Sequence, residues 1–316
     1  MKFNSHKRIR DRFKDKSKAK TKFKTKFKTK GKYQKNPWRS ELNDIVRGGC
    51  GGFLFGIPLL YTMEVWWIGS SATPEMMLVA LILTFIVVYL LMRTEGFRKP
   101  RRFNRRYQAI TETVEAMGIG LICSAFVLLL LRELSPGVSL KEALGKIIYE
   151  SVPFSLGVAL ANQLLGENGN NPPDSRIEKN QSVGINATFT DLSATLIGAI
   201  VIGFNIAPTD EIATLAAAVS QPWLLAIITT SLLISYAIVF QAGFSAQEQR
   251  KQHKGIFQKP FSETMICYLV SLVAASLMLW FFQKLTWNDP WTIWLEHSII
   301  LGLPTTIGGA AGRLAI

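Results

Sequence analysis

The stretch EMMLVALILTFIVVYLLMRT, residues 75–94, decides how the rest of the chain is read. Between Met76 and Met92 only Thr84 and Tyr89 carry polar side-chain atoms. A helix that is apolar on every side has no face to turn toward water and belongs in lipid or at the centre of a large core. About 20 such residues cover the ~30 Å of bilayer hydrocarbon. Outward from it lie seven more segments of similar length, near 45–67, 109–131, 142–165, 188–207, 222–243, 263–284 and 291–314. The composition agrees: 48% of the 316 residues are hydrophobic and 18% charged, less charge than a soluble chain of this length carries. The expected fold is an all-α integral membrane protein with eight transmembrane helices.

Charge is distributed very unevenly. Residues 1–40 hold 17 Lys and Arg against Asp11 and Asp15, a net +15, which leaves −1 for everything after Ser40 when the whole chain carries +14. From 14 to 32 lysine occupies every even position, a like-charge pattern that supports neither helix nor strand, so 1–40 is expected to be a disordered basic cytoplasmic tail. Anionic lipid headgroups are its expected partner, at about 1 kcal/mol per Lys or Arg near the surface. Nucleic acid is not expected, because no basic domain accompanies the tail. Cys50, Cys123 and Cys267 stand singly in apolar segments and show no metal-ligand spacing, so no metal, cofactor or disulfide is expected. No nucleotide-binding, zinc-protease, hydrolase or kinase motif occurs, and the chain is not expected to be an enzyme.

The segments fall into two sets. An offset of 147 pairs Asp44 with Asp191, Gly51 with Gly198, Gly56 with Gly203, Thr62 with Thr209, Glu64 with Glu211 and Tyr89 with Tyr236. After a four-residue insertion an offset of 151 pairs Glu112 with Glu263, Leu134 with Leu285, Pro153 with Pro304 and Gly157 with Gly308. The reading is two tandem four-helix repeats, 41–165 and 188–316, joined by a cytoplasmic linker at 166–187. An even number of spans gives both repeats the same orientation. With the tail in the cytoplasm, 32 Lys and Arg lie on its side of the bilayer and four on the other, and seven of the eight tryptophans gather at the far face. Both termini are therefore expected in the cytoplasm of a cell with an inner membrane.

Several polar residues stand inside or at the ends of the apolar segments. Glu142, Lys146 and Glu150 follow one another at four-residue spacing on a single helix face, and Lys146 aligns with His297, beside Glu296. Mutual neutralisation is the plain reading. A row of Glu-Lys-Glu facing Glu296 and His297 is the sharper one, a relay for a proton or ion. Glu64 and Glu211 mark the outer ends of the first span of each repeat, as a cation vestibule or as solvated helix ends. Glu112 and Glu263 mark inner ends and either converge on a central path or balance nearby arginines. Pro58, Pro153 and Pro304 interrupt helices, as kinks or as breaks that free carbonyls for an ion. Small residues at Gly48, Gly52 and Gly56, matched by Thr195, Ala199 and Gly203, point to close helix packing between the halves.

The stretch RGGCGGFLFGIPLLYTMEVWWIG, Arg47 to Gly69, resembles the start of a family of bacterial integral membrane proteins, cyanobacterial ones among them, catalogued as a domain of unknown function. The resemblance runs from about Glu41 to the C-terminus and leaves the tail outside. It implies the multi-pass architecture and supplies no functional residues. The leading expectation is a transporter or channel for a small ion or solute. A non-catalytic membrane scaffold that docks through its basic tail is the alternative, and an intramembrane enzyme comes third; the oligomeric state is not legible.

Overall fold

The computed structural model describes residues 37–95, 105–165, 184–241 and 260–315, all but the end of the expected tail and most of the linker lying outside them. Ten helices account for most of the described residues, among which there is no strand. They are α1 (Pro37–Leu60), α2 (Met63–Ser71), α3 (Pro74–Glu95), α4 (Arg105–Leu130) and α5 (Leu140–Leu165). Then come α6 (Gly184–Ile206), α7 (Glu211–Ala218), α8 (Gln221–Tyr236), α9 (Pro260–Phe281) and α10 (Trp291–Ala315), with α8 running on through a π-helical turn, Ala237–Gln241. Proline opens α1, α3 and α9, where a missing N–H costs nothing and the fixed φ favours the first turn.

Among the described residues six helices are long and apolar enough to cross a membrane, or seven if a bent pair forms one span. That pair is α1 and α2. The single span expected at 45–67 is broken at Tyr61–Thr62, and the axis turns by 90°. Pro58 deprives the last turn of α1 of a donor, and Thr62 is extended, with φ −112° and ψ 102°. Another long helix follows α6 only after Pro208 and the short α7.

The segment expected at 291–314 is the helix α10, which lies outside those six. It carries Glu296, His297, Thr305, Thr306 and Arg313, and every residue from Ser298 to Ala310 is buried. A helix sheathed by other helices needs no uniformly apolar surface, because protein and not lipid surrounds it. By contrast α3 leaves Leu78, Val79, Ile82, Leu83, Ile86 and Val87 exposed, the side a membrane would cover.

Small residues bring several helix pairs to backbone contact, α1 with α5 and α6 with α10 among them. A methyl placed on Gly51 of α1 would fall 2.5 Å from the Ala161 Cβ and 2.6 Å from the Gly157 carbonyl oxygen of α5. Gly198 of α6 meets the Gly308 carbonyl of α10 more closely still, and Gly312 meets that of Ala194. In both pairs residue numbers rise along one helix as they fall along the other, so the helices are antiparallel. The close packing expected between the halves thus lies within them: sequence marks which face is thin, not which helix leans on it.

One apolar cluster joins the helices before residue 166 to those after 183, drawing on Ile57, Leu60 and Phe154 from the former and Ile212, Leu279 and Leu301 from the latter. Among the described residues two hydrogen bonds are seen across the same boundary. The Tyr61 hydroxyl donates to the Ile300 carbonyl at 2.8 Å, and the Trp223 indole donates to the Leu130 carbonyl at 2.5 Å. The Arg132 guanidinium stands 5.3 Å from the centroid of the Trp223 ring.

The turns after α4 and α9 share one form. Arg132 and Gln283 are the only non-glycine residues with positive φ among the described residues, at 65° and 57°. Each donates to the carbonyl three residues back, Leu129 or Trp280, and the next N–H reaches Leu128 or Leu279. These are the bonds of a left-handed helix cap, which asparagine or glycine normally provides.

Candidate functional site

Lys146, Glu150 and Phe154 lie one turn apart on α5 and form a single stripe. Both ends of the stripe are located by glycines. A methyl on Gly69 of α2 would come within 2.9 Å of the Lys146 Cα, and one on Gly52 of α1 would meet the Phe154 carbonyl at 3.3 Å. Glu150, midway between, therefore faces the elbow where α1 gives way to α2. It stands ten residues into α5, about 15 Å along a helix rising 1.5 Å per residue, near the middle of a candidate span.

Its side chain is 0% exposed, and neither carboxylate oxygen has a hydrogen-bond partner. The Trp66 indole of α2 neighbours it, buried and likewise without an acceptor. Pro153, three residues on, cannot donate to the Tyr149 carbonyl, so α5 is locally short of one helical bond beside the acid. An acid and a donor left unsatisfied side by side are costly, at about 1–3 kcal/mol for each polar group and more for a charge.

Lys146 does not serve as the counter-charge of Glu150. Its ammonium lies 3.2 Å from Glu133 Oε2 and 3.2 Å from Glu142 Oε1, and it donates to the Glu133 carbonyl at 3.4 Å. Part of the expected Glu-Lys-Glu row is present, then, but its lysine is spent on Glu142 and on Glu133, a residue of the turn after α4 that helical spacing could not reveal. The expected facing of this row onto Glu296 and His297 is not seen. The charged neighbours of His297 are Glu296 and Asp289, and no hydrogen bond or ion pair links these groups to Lys146 or Glu150.

The remaining candidates fall into separate surroundings. Glu64 is exposed in the first turn of α2, whereas Glu211 is buried in the first turn of α7 and its Oε2 has no partner. Equal places in the sequence have thus received unlike environments. Glu112, buried in α4, accepts a bond from Gln108 Nε2 at 2.9 Å. Glu263 of α9 is paired with Arg313 of α10, which is fully buried with its guanidinium 5.6 Å from the Phe240 ring centroid. For Glu263 this is the charge-balancing reading.

Of the three prolines, Pro304 has the most telling surroundings. It leaves the Ile300 carbonyl without its helical donor, and that is the carbonyl Tyr61 takes. Neither Tyr61 nor Arg313 is marked by helical spacing, because their partners are 239 and 50 residues distant.

The three cysteines are free and buried, and no group of three or more His, Cys, Asp and Glu placed to hold a metal occurs among the described residues.

Residues 44–316 match the family described as "Putative integral membrane protein (DUF2391)", a domain of unknown function. No curated protein and no solved structure matches the chain.

Proposed function

The chain belongs to that family of integral membrane proteins, and we propose that it is a transporter or channel for a small ion or solute, with Glu150 the group that receives the ion. One observation carries the reading: a fully buried carboxyl group without a partner, near the middle of a candidate span and opposite a broken helix. Ionisable groups at such depth are expensive and mark ion paths, and discontinuous helices frame the sites of many carriers.

The architecture proposed around it is eight crossings in two tandem copies, 41–165 and 188–316, with both termini in the cytoplasm of a cell with an inner membrane. The bent pair α1–α2 then counts as one crossing and α10 as the eighth. In support, each copy runs as a long helix, a short helix and three long ones. The left-handed caps at Arg132 and Gln283 are 151 residues apart, and the contact of Gly51 with Gly157 recurs at Gly198 and Gly308 with the two offsets of the sequence alignment. The copies differ where the chemistry lies. Glu150, Trp66 and Lys146 correspond to Leu301, Ala213 and His297, so one copy holds the acid and the other buttresses it.

The test is flux in proteoliposomes against a panel of ions, for the intact chain and for Glu150→Gln. Movement of one ion, lost in the variant, is expected. No movement of any ion, together with stable co-purification of another membrane complex, would replace the transporter by the scaffold. For the topology, a reporter at Asn180 that is active only outside the cell contradicts eight crossings.

A further inference from the structure

We propose that the ion received by Glu150 is a proton, and that the elbow at Tyr61–Thr62 is where water gains access to it; this rests on the reading of Glu150 above. The carboxylate needs a companion charge in a medium of low dielectric, and the nearest cation on its own helix face, Lys146, is held by Glu133 and Glu142. A metal cation in that place would need several hard oxygen ligands at once. Glu150 offers two oxygens, Trp66 brings an N–H that points positive charge toward the site, and the stripe continues into the Phe154 ring. A proton needs one lone pair and no coordination shell.

The ionisable groups of the elements packed round α5 support this choice. On α1, the break that follows it and α4 they include Cys50, Tyr61 and Cys123, all buried and neutral when protonated, and the half-buried Glu115. The carboxylates Glu64 of α2 and Glu75 of α3 are exposed, while Glu112 lies near the opposite end of α4. Glu150 is thus a buried acid beside an indole N–H, with its neighbouring lysine committed to Glu133 and Glu142.

The elbow supplies the route. Tyr61 is 2% exposed and held to the Ile300 carbonyl, while the adjoining Thr62 is exposed, so sealed and open surfaces are one residue apart. The Thr62 side chain makes no capping bond to α2. In the proposed step, separation of Tyr61 from Ile300 opens the elbow that Glu150 faces. In the step itself an O–H bond forms on a Glu150 oxygen as water on one face gives up a proton. The same bond breaks as water on the other face receives it, and nothing is oxidised or reduced.

The test uses the full chain in proteoliposomes loaded with a pH-sensitive dye, with potassium and valinomycin clamping the voltage, under an imposed pH gradient. Proton flux should fall roughly a hundredfold in Glu150→Gln, in keeping with loss of a positioned proton-transfer group. Infrared difference spectra recorded on a change of pH should contain a protonated-carboxyl band that is absent from the variant. Sodium or potassium flux lost in Glu150→Gln with the dye silent overturns the proton while leaving transport intact. A carboxyl band without flux of any ion sustains proton binding and overturns transport. Equal proton flux in the two proteins overturns the role of Glu150. Should Glu150→Gln not purify as one species, Trp66→Phe, which removes the indole N–H, is read in its place. A several-fold slower flux and a shifted carboxyl band are expected, and no change in either overturns the proposal.

Discussion

The hydrogen bond from Tyr61 to Ile300 can be isolated energetically, because the reason its acceptor is free is known. Pro304 lacks the N–H that would occupy the Ile300 carbonyl, and Tyr61 supplies a hydroxyl at 2.8 Å in its stead. Both residues are buried, so Tyr61→Phe strands a carbonyl where water does not reach. A lost bond of this kind costs about 1 kcal/mol net, and the stranded group brings the total to about 2 kcal/mol. At about 2–4 °C per kcal/mol for a chain of this size class, the midpoint of thermal unfolding in detergent should fall by roughly 4–8 °C. The decisive comparison is a double-mutant cycle with Pro304→Ala. Alanine restores the helical donor, so the Ile300 carbonyl keeps a partner when Tyr61 is lost. In that background Tyr61→Phe should cost less than about 0.5 kcal/mol, leaving a coupling energy of about 1.5 kcal/mol. An equal cost in both backgrounds would show that the hydroxyl acts otherwise than through that carbonyl, and the account of the elbow would have to be withdrawn.

Four further outcomes follow from the surroundings of particular residues. Gly198→Ala should destabilise by about 1–3 kcal/mol because its methyl collides with the Gly308 carbonyl. Gly118→Ala, whose methyl meets nothing within 4 Å, should stabilise by about 0.5–1 kcal/mol; denaturation of the pair in one detergent checks both signs. Arg313→Ala breaks a buried ion pair and should cost about 3 kcal/mol, the low end for such pairs because the Glu263 side chain is 26% exposed; a midpoint within a degree of the parent contradicts it. Asp289, in the turn between α9 and α10, accepts from the Thr286 N–H at 2.6 Å and hydroxyl at 2.9 Å, which hold its pKa below the usual aspartate value. A depressed acid contributes its stability in full above the unfolded value, about 3.9, and loses it as the pH falls through the lowered folded value. Emission of the tryptophan at 287 in the same turn should change in that acid window and become flat in Asp289→Asn.

How far the sequence carried the reading varies with the distance over which each feature is determined. The long helices were legible because lipid demands a continuous apolar run, a property of neighbours in the chain. The elbow was not, since Pro58 and Thr62 sit within a run apolar enough to read through, and the turn depends on what α2 meets on α5. Glu150 stood out as an acid within an apolar segment. Its relation to Lys146 did not, because a lysine can reach either way along its helix and the winning carboxylate, Glu133, comes from a turn. The cluster of Glu263 with Arg313 shows the same limit. An acid at a helix end announces a charge to be balanced, but its partner is chosen by the packing of α9 on α10. For α10 the composition misleads in the other direction: its polar residues dilute the apolar signal of a helix whose middle is wholly enclosed.

Where α1 and α2 rest on α5 and α6 rests on α10, glycines let the peptide groups of the two helices meet directly. Side chains act as springs, changing rotamer to let one helix slide past another, and at the glycine contacts of these seams that slack is missing. Each couple can therefore move only as a solid beam. Because α2 is seated on α5 by the same kind of contact, any rearrangement that opens the protein falls between the α1–α2–α5 group and the α6–α10 pair, where the hydrogen bond from Tyr61 to Ile300 has to yield.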